Sequence, residues 1–92
     1  MTIPVAYDEV TLAEYMHSEL GATANVLGYS APTSDAGVYQ EPVNEVMLAL
    51  GVTDLETAPD IRKVRVLARR EAWKMAMDGL ITLHDFSEAN AS

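Results

Sequence analysis

His17, His84, Ser30, Ser34 and Asp35 are the side chains best suited to chemistry, and their spacing gives them little to do. A serine nucleophile needs a histidine base within reach and a third group to orient that base. Ser30 and Ser34 sit in "SAPTSDAG", which has no histidine near it in sequence. His17 and His84 are far apart and solitary, without the spacing of a helical metal pair such as H-E-x-x-H. The chain has no cysteine, which excludes thiolate catalysis, thiolate metal ligation and a disulfide framework. No glycine-rich phosphate loop is present. Both histidines read as surface or helix-capping residues. Asp8 and Glu9 read as a solvated approach to the first helix. The expectation is a protein with no catalytic residue, no cofactor and no metal site, and not an enzyme.

What the sequence does concentrate is charge. The segment "DIRKVRVLARREAWKMAMDGL", residues 60 to 80, holds all 6 Lys and Arg residues, between Arg62 and Lys74, in a chain of net charge −8. Clustered cations in an otherwise acidic chain point to a binding surface. A sequence pI near 4.4 disfavours nucleic acid as the main partner, because phosphate binding is driven by excess cations. It disfavours an anionic membrane surface for the same reason. No apolar run approaches the roughly 20 residues of a membrane span. The opening "MTIPVAYDEV" lacks the basic start of a signal peptide. The expected setting is the cytoplasm, or an assembly built there.

The elements that carry this charge read as helices. With 92 residues and 49% hydrophobic content, the chain is expected to form one folded domain, residues 1–92, with a small core open to support from neighbours. "VTLAEYMHSELG" predicts a helix over about 12–20, with Thr11 as N-cap, Glu14 completing a capping box, Val10 and Tyr15 as a staple, and Gly21 at the end. "ATANVLGY" suggests a short helix with Thr23 as cap and Gly28 as stop. Residues 29–40, rich in Ser, Pro, Thr, Asp and Gly, read as a loop. Pro42 opens a helix over 42–50 that Gly51 ends. "TDLETAPD" suggests a single turn capped by Thr53 or Asp54. Pro59 or Asp60 then opens a long helix over 60–83, with Gly79 weakening it near its end and residues 84–92 as a frayed tail. The fold class is all-α: a small bundle of about four helices with one long C-terminal helix.

On a helical wheel the long helix carries two apolar lines. Ile61, Val64, Ala68, Ala72, Met75, Gly79 and Leu83 form one, small enough at Ala68, Ala72 and Gly79 for another helix to approach. This is the expected core seam. Val66, Trp73, Met77 and Leu80 form the other. Either the helix is central to its own bundle and touched on both sides, or the second line meets a partner, with Trp73 as an anchor. The cations divide in the same way. Lys63, Arg70 and Lys74 share a side, while Arg62, Arg65 and Arg69 flank the apolar faces. They either balance acidic neighbours within the fold or receive carboxylates of another subunit. Arg65 and Arg69 can lay their stems over the seam with their heads in water.

From "YQEPVNEVMLALGV" through "TDLETAPDIRKVRVLARREAW" to "DFS", over roughly residues 39 to 87, the chain resembles the small head–tail connector proteins of tailed bacteriophages, also called adaptor or head-completion proteins. The resemblance implies an all-helical structural protein of the virion, assembled in the host cytoplasm. Such adaptors form a ring, commonly dodecameric, beneath the portal protein of a DNA-filled head. They extend the channel and seat the next connector or tail-completion protein. DNA passes through the lumen without specific recognition, and no cofactor or membrane is involved. The positions carried over as partner interface are Arg62, Lys63, Arg69, Arg70, Trp73, Lys74, Asp85 and Phe86. Relatives usually continue past "DFS" into a segment that can dock on the portal. This sequence ends at "EANAS", so the expectation is docking by another surface or a shortened sequence. The alternative from a different class is an acidic helical binding module, such as an antitoxin-like or DNA-mimicking inhibitor.

Overall fold

The computed structural model describes residues 7–58 and 60–91, the side chains of 86–91 excepted. The fold is all-α. Helices α1 (Glu9–Leu20), α2 (Ala22–Val26), α3 (Gln40–Leu50) and α4 (Ile61–Ala91) follow one another, with single 3-10 turns at Gly37–Tyr39 and Leu55–Thr57. No strand occurs among the described residues.

Helix α1 begins one turn before the predicted cap. Asp8, in an extended conformation, is the N-cap: its Oδ1 accepts from the Thr11 amide at 2.7 Å, and Thr11 Oγ1 accepts from the Asp8 amide at 2.9 Å. Two overlapping sets, Asp8/Thr11 and Thr11/Glu14, fit the capping-box spacing. The first is used because its acid also faces the positive end of the helix dipole. Thr23 does not cap α2 either; the turn at Gly21 leads straight into it.

The predicted loop is shorter than 29–40, because Gly37–Tyr39 already winds into the turn that launches α3. Pro42 lies within the first turn of α3, where a missing amide hydrogen costs nothing. Gly51 stops α3 in the left-handed region at φ 69°. Its amide and that of Val52 close back on Leu48 and Met47, an arrangement a side chain at Gly51 would strain. Asp54 caps the turn at Leu55–Thr57, as one of the two predicted candidates, with its Oδ1 accepting from the Glu56 amide at 3.0 Å. Asp60 Oδ1 accepts from the Arg62 amide at 2.9 Å and so starts α4. Pro59, the other residue predicted to open this helix, lies outside the described residues.

Helix α4 is 31 residues long, about 46 Å at the usual rise, and does not fray at residue 84. Val64, Ala68, Ala72 and Ala76 are its buried residues. They repeat every fourth position, the spacing of one surface ridge of an α-helix. The predicted seam therefore shifts: Ala76 replaces Met75 as the buried residue, Met75 and Gly79 are half-buried, and Leu83 is 47% exposed. α1 and α3 pack on either flank of this ridge, and also touch one another. Leu12, Ala13, Met16 and Leu20 from α1, Ala24 from α2, Val43 and Val46 from α3, and Ala36, Tyr39 and Leu55 at the turns complete the core. Three alanines let α1 and α3 approach α4 closely, so a small chain buries its apolar surface with few large side chains.

Candidate partner interface on α4

The basic residues divide by the side of α4 on which they fall. Arg65 and Arg69 lie on the flank next to α1. Arg65 Nε donates to Tyr7 Oη at 3.0 Å, with its guanidinium 5.9 Å from the Tyr7 ring centroid. Arg69 Nε lies 3.2 Å from Glu19 Oε1, and Arg69 also reaches Tyr15 Oη at 3.4 Å. The hydrogen bond to Tyr15 and the charge of Glu19 push the Arg69 pKa up further. Tyr7 and Tyr15 pack at 6.0 Å between ring centroids, with Arg65 over the Tyr7 ring and Arg69 at the Tyr15 hydroxyl. Both heads stay exposed, with their stems along the bundle. Arg69 thus serves the fold of its own chain, and the two tyrosines that receive these arginines were not legible as partners.

Arg62, Lys63, Arg70 and Lys74 are different. All are exposed, and none of their side chains has a hydrogen bond or ion pair to another described residue. Lys63, Arg70 and Lys74 recur at i, i+7 and i+11 and face away from the Val64–Ala76 ridge. Val66, 60% exposed, and Met77, 53% exposed, stand on the same outward side. The second apolar line is therefore split. Trp73 and Leu80 are half-buried, and Trp73 packs against the core, whereas Val66 and Met77 have solvent in place of neighbours. Neither simple reading of that line holds for all of it.

Asp85 is exposed on the last part of α4, 11 residues beyond Lys74, about 16 Å along the helix axis. It is not gathered into the same surface as the cations. The Phe86 side chain lies outside the described residues.

An open groove of about 460 Å³ runs between α3 and α4, lined by Glu41, Pro42, Glu45, Glu71, Lys74, Met75 and Asp78. Lys74 overlooks four carboxylates there without an ion pair to any of them. Glu41 and Glu45 continue onto the outer side of α3, where Asn44 and Leu48 are also exposed, Leu48 at 76%. The spacing of Glu41, Asn44, Glu45 and Leu48 is i, i+3, i+4, i+7, a complete outer face of a helix. That face could have been read from the sequence as the complement of the Val43–Val46 core side. Among the described residues no group of His, Asp and Glu is arranged to hold a metal. No helix of the described residues is long and apolar enough to cross a membrane.

His17 is the clearest correction among the polar residues. It is half-buried, and its Nδ1 approaches Tyr39 Oη, so its side chain ties α1 to the turn before α3 instead of lying free on the surface. Comparison with protein-family models, curated proteins and solved structures finds no match for this chain.

Proposed function

We propose that this protein is a head–tail connector of a tailed bacteriophage, a structural adaptor that forms a ring beneath the portal and joins the DNA-filled head to the tail. The reading rests first on the ordered resemblance from "ALGV" through "DIRKVRVLARREAW" to "DFS". The observation that carries it further is the outward face of α4. Arg62, Lys63, Arg70 and Lys74 are exposed beside Val66 and Met77 with no partner among the described residues. Such a mixed cationic and apolar face suits contact with another protein surface better than solvent alone. Its partners in this reading are the portal, neighbouring copies and the next connector or tail-completion protein. Excess acid elsewhere on the chain would face the lumen and discourage passing DNA from sticking.

The experiment is to mix the protein with purified portal rings from the same source and image the product. An added ring on the tail-facing end of the portal is the expected result. No added density at high protein concentration, with a longer chain as well as this one, would put the acidic inhibitor reading first. A one-to-one complex with a single enzyme would then be its signature.

A further inference from the structure

The outward faces of α3 and α4 carry opposite charge, and no ion pair joins them within the described residues of one chain. On α4, Lys63 and Arg70 flank Val66, while Lys74 stands over the groove toward α3. On α3, Glu41 and Glu45 stand beside Leu48, the most exposed large apolar side chain described. The α4 face has cations without ion-pair partners among the described residues, and the α3 face has carboxylates in the same condition. Both helices turn their opposite sides to the shared core, and Glu41 and Glu45 run from the rim of the groove onto the exposed side of α3.

Resting on the connector reading, we infer that the α4 face of one copy seats on the α3 face of the next, with Val66 against Leu48 and Lys63 and Arg70 against Glu41 and Glu45. The occupant is a second copy because both halves of the match belong to this sequence. Each chain has one face of each kind, so the contact is heterologous: it propagates from copy to copy and closes if the rotation allows. Opposite charge fixes which face meets which, and the apolar pair supplies the dry centre. Two α4 faces, both cationic, would repel, as would two α3 faces.

The chain has no cysteine, so introduced ones report contacts directly. A chain carrying Val66→Cys and Leu48→Cys is oxidised alone and with portal rings. A ladder of disulfide-linked multimers is expected, and neither single-cysteine chain should give it. Adding Lys63→Glu and Arg70→Glu should abolish the ladder. Mixing that chain with one carrying Glu41→Lys and Glu45→Lys, both with the two cysteines, should restore it. No link under either condition, a product that stops at the dimer, or a ladder indifferent to charge reversal would overturn the pairing. The connector reading fails separately: a charge-sensitive ladder from a protein that adds nothing to the portal would leave the pairing standing and remove the connector. Portal rings decorated without the Val66–Leu48 link would do the reverse.

Discussion

Nδ1 of His17 lies 2.6 Å from Oη of Tyr39, and the two rings meet edge to face with centroids 5.6 Å apart. Tyr29 adds a second edge-to-face contact to the same phenol ring at 6.0 Å. These three side chains join α1, the end of the α2 segment and the turn before α3 into one cluster. Replacing Tyr39 by Phe keeps the ring packing and removes the hydrogen bond. The expected cost is about 1 kcal/mol, read from denaturant unfolding near neutral pH.

The same residue predicts an alkaline limb. Burial, with a smaller contribution from neighbouring Tyr29, pushes the Tyr39 pKa up from 10.0 to about 12. The unfolded phenol ionises first, so between those values the native state holds more protons than the unfolded one. Stability is then full below pH 10 and falls as pH rises toward about 12. Tyr39→Phe should flatten that part of the stability profile, while an unchanged profile would show that Tyr39 does not set it.

Ala72 is fully buried at the middle of the α4 ridge, with α1 and α3 on its flanks. Leucine there adds volume where two helices already touch the backbone of a third. Ala72→Leu should lower stability by about 1–3 kcal/mol through overpacking. Thermal unfolding of this variant beside Ala49→Leu, at an exposed position of α3, separates crowding from any general effect of an added leucine.

Gly79 makes a prediction that reverses with context. A Cβ there would stand 2.9 Å from Tyr29 Oη and 3.1 Å from Leu27 Cδ2. Alanine would ordinarily stabilise a helix interior by about 1 kcal/mol over glycine. In the native chain that gain should vanish because the Tyr29 ring must move. In a Tyr29→Phe background most of it should return. A double-mutant cycle should show a coupling of at least about 0.5 kcal/mol, and additivity would show that Tyr29 is not the obstacle.

Asp8 gives an acid-side test. The backbone amide of Thr11 is the largest of the effects that hold its carboxyl below the usual value of 3.8. A lowered native pKa means that the cap contributes fully above that value and is lost as pH falls through the native one. Asp8→Ala should cost about 1 kcal/mol at neutral pH and less in strong acid, whereas Asp8→Asn should retain much of the cap. Unfolding at pH 7 and near pH 2 compares the three chains.

Much of this architecture was legible because it is local. The apolar spacing of Leu12, Met16 and Leu20, the Gly51 stop and the Asp54 turn all depend on residues within a few positions of each other. The Asp8 cap was misread because Thr11 fits two overlapping patterns, and only the backbone shows which one is used. The shift from Met75 to Ala76 reflects a ridge of four-residue spacing, which drifts from the average helical period over several turns. His17, Tyr7 and Tyr15 depend on partners 22 to 58 residues away, and no local signal names such partners. On the candidate interface, the type and clustering of the cations were legible. Which of them the fold itself uses was not, because Arg69 and Arg70 are adjacent in sequence yet on different sides of α4.

The burial along α4 is uneven in a way that should be visible in time. Its described side chains up to Ala76 include the buried ridge, but those from Ile81 to Asp85 are all exposed. Backbone hydrogen bonds along the Val64–Ala76 ridge lie under α1 and α3, so their amides should exchange with solvent close to the rate of global unfolding. Those near residues 81–85 carry exposed side chains and should exchange far sooner. One continuous helix would therefore keep two clocks, and a partner that covers its outer end would slow only the faster one.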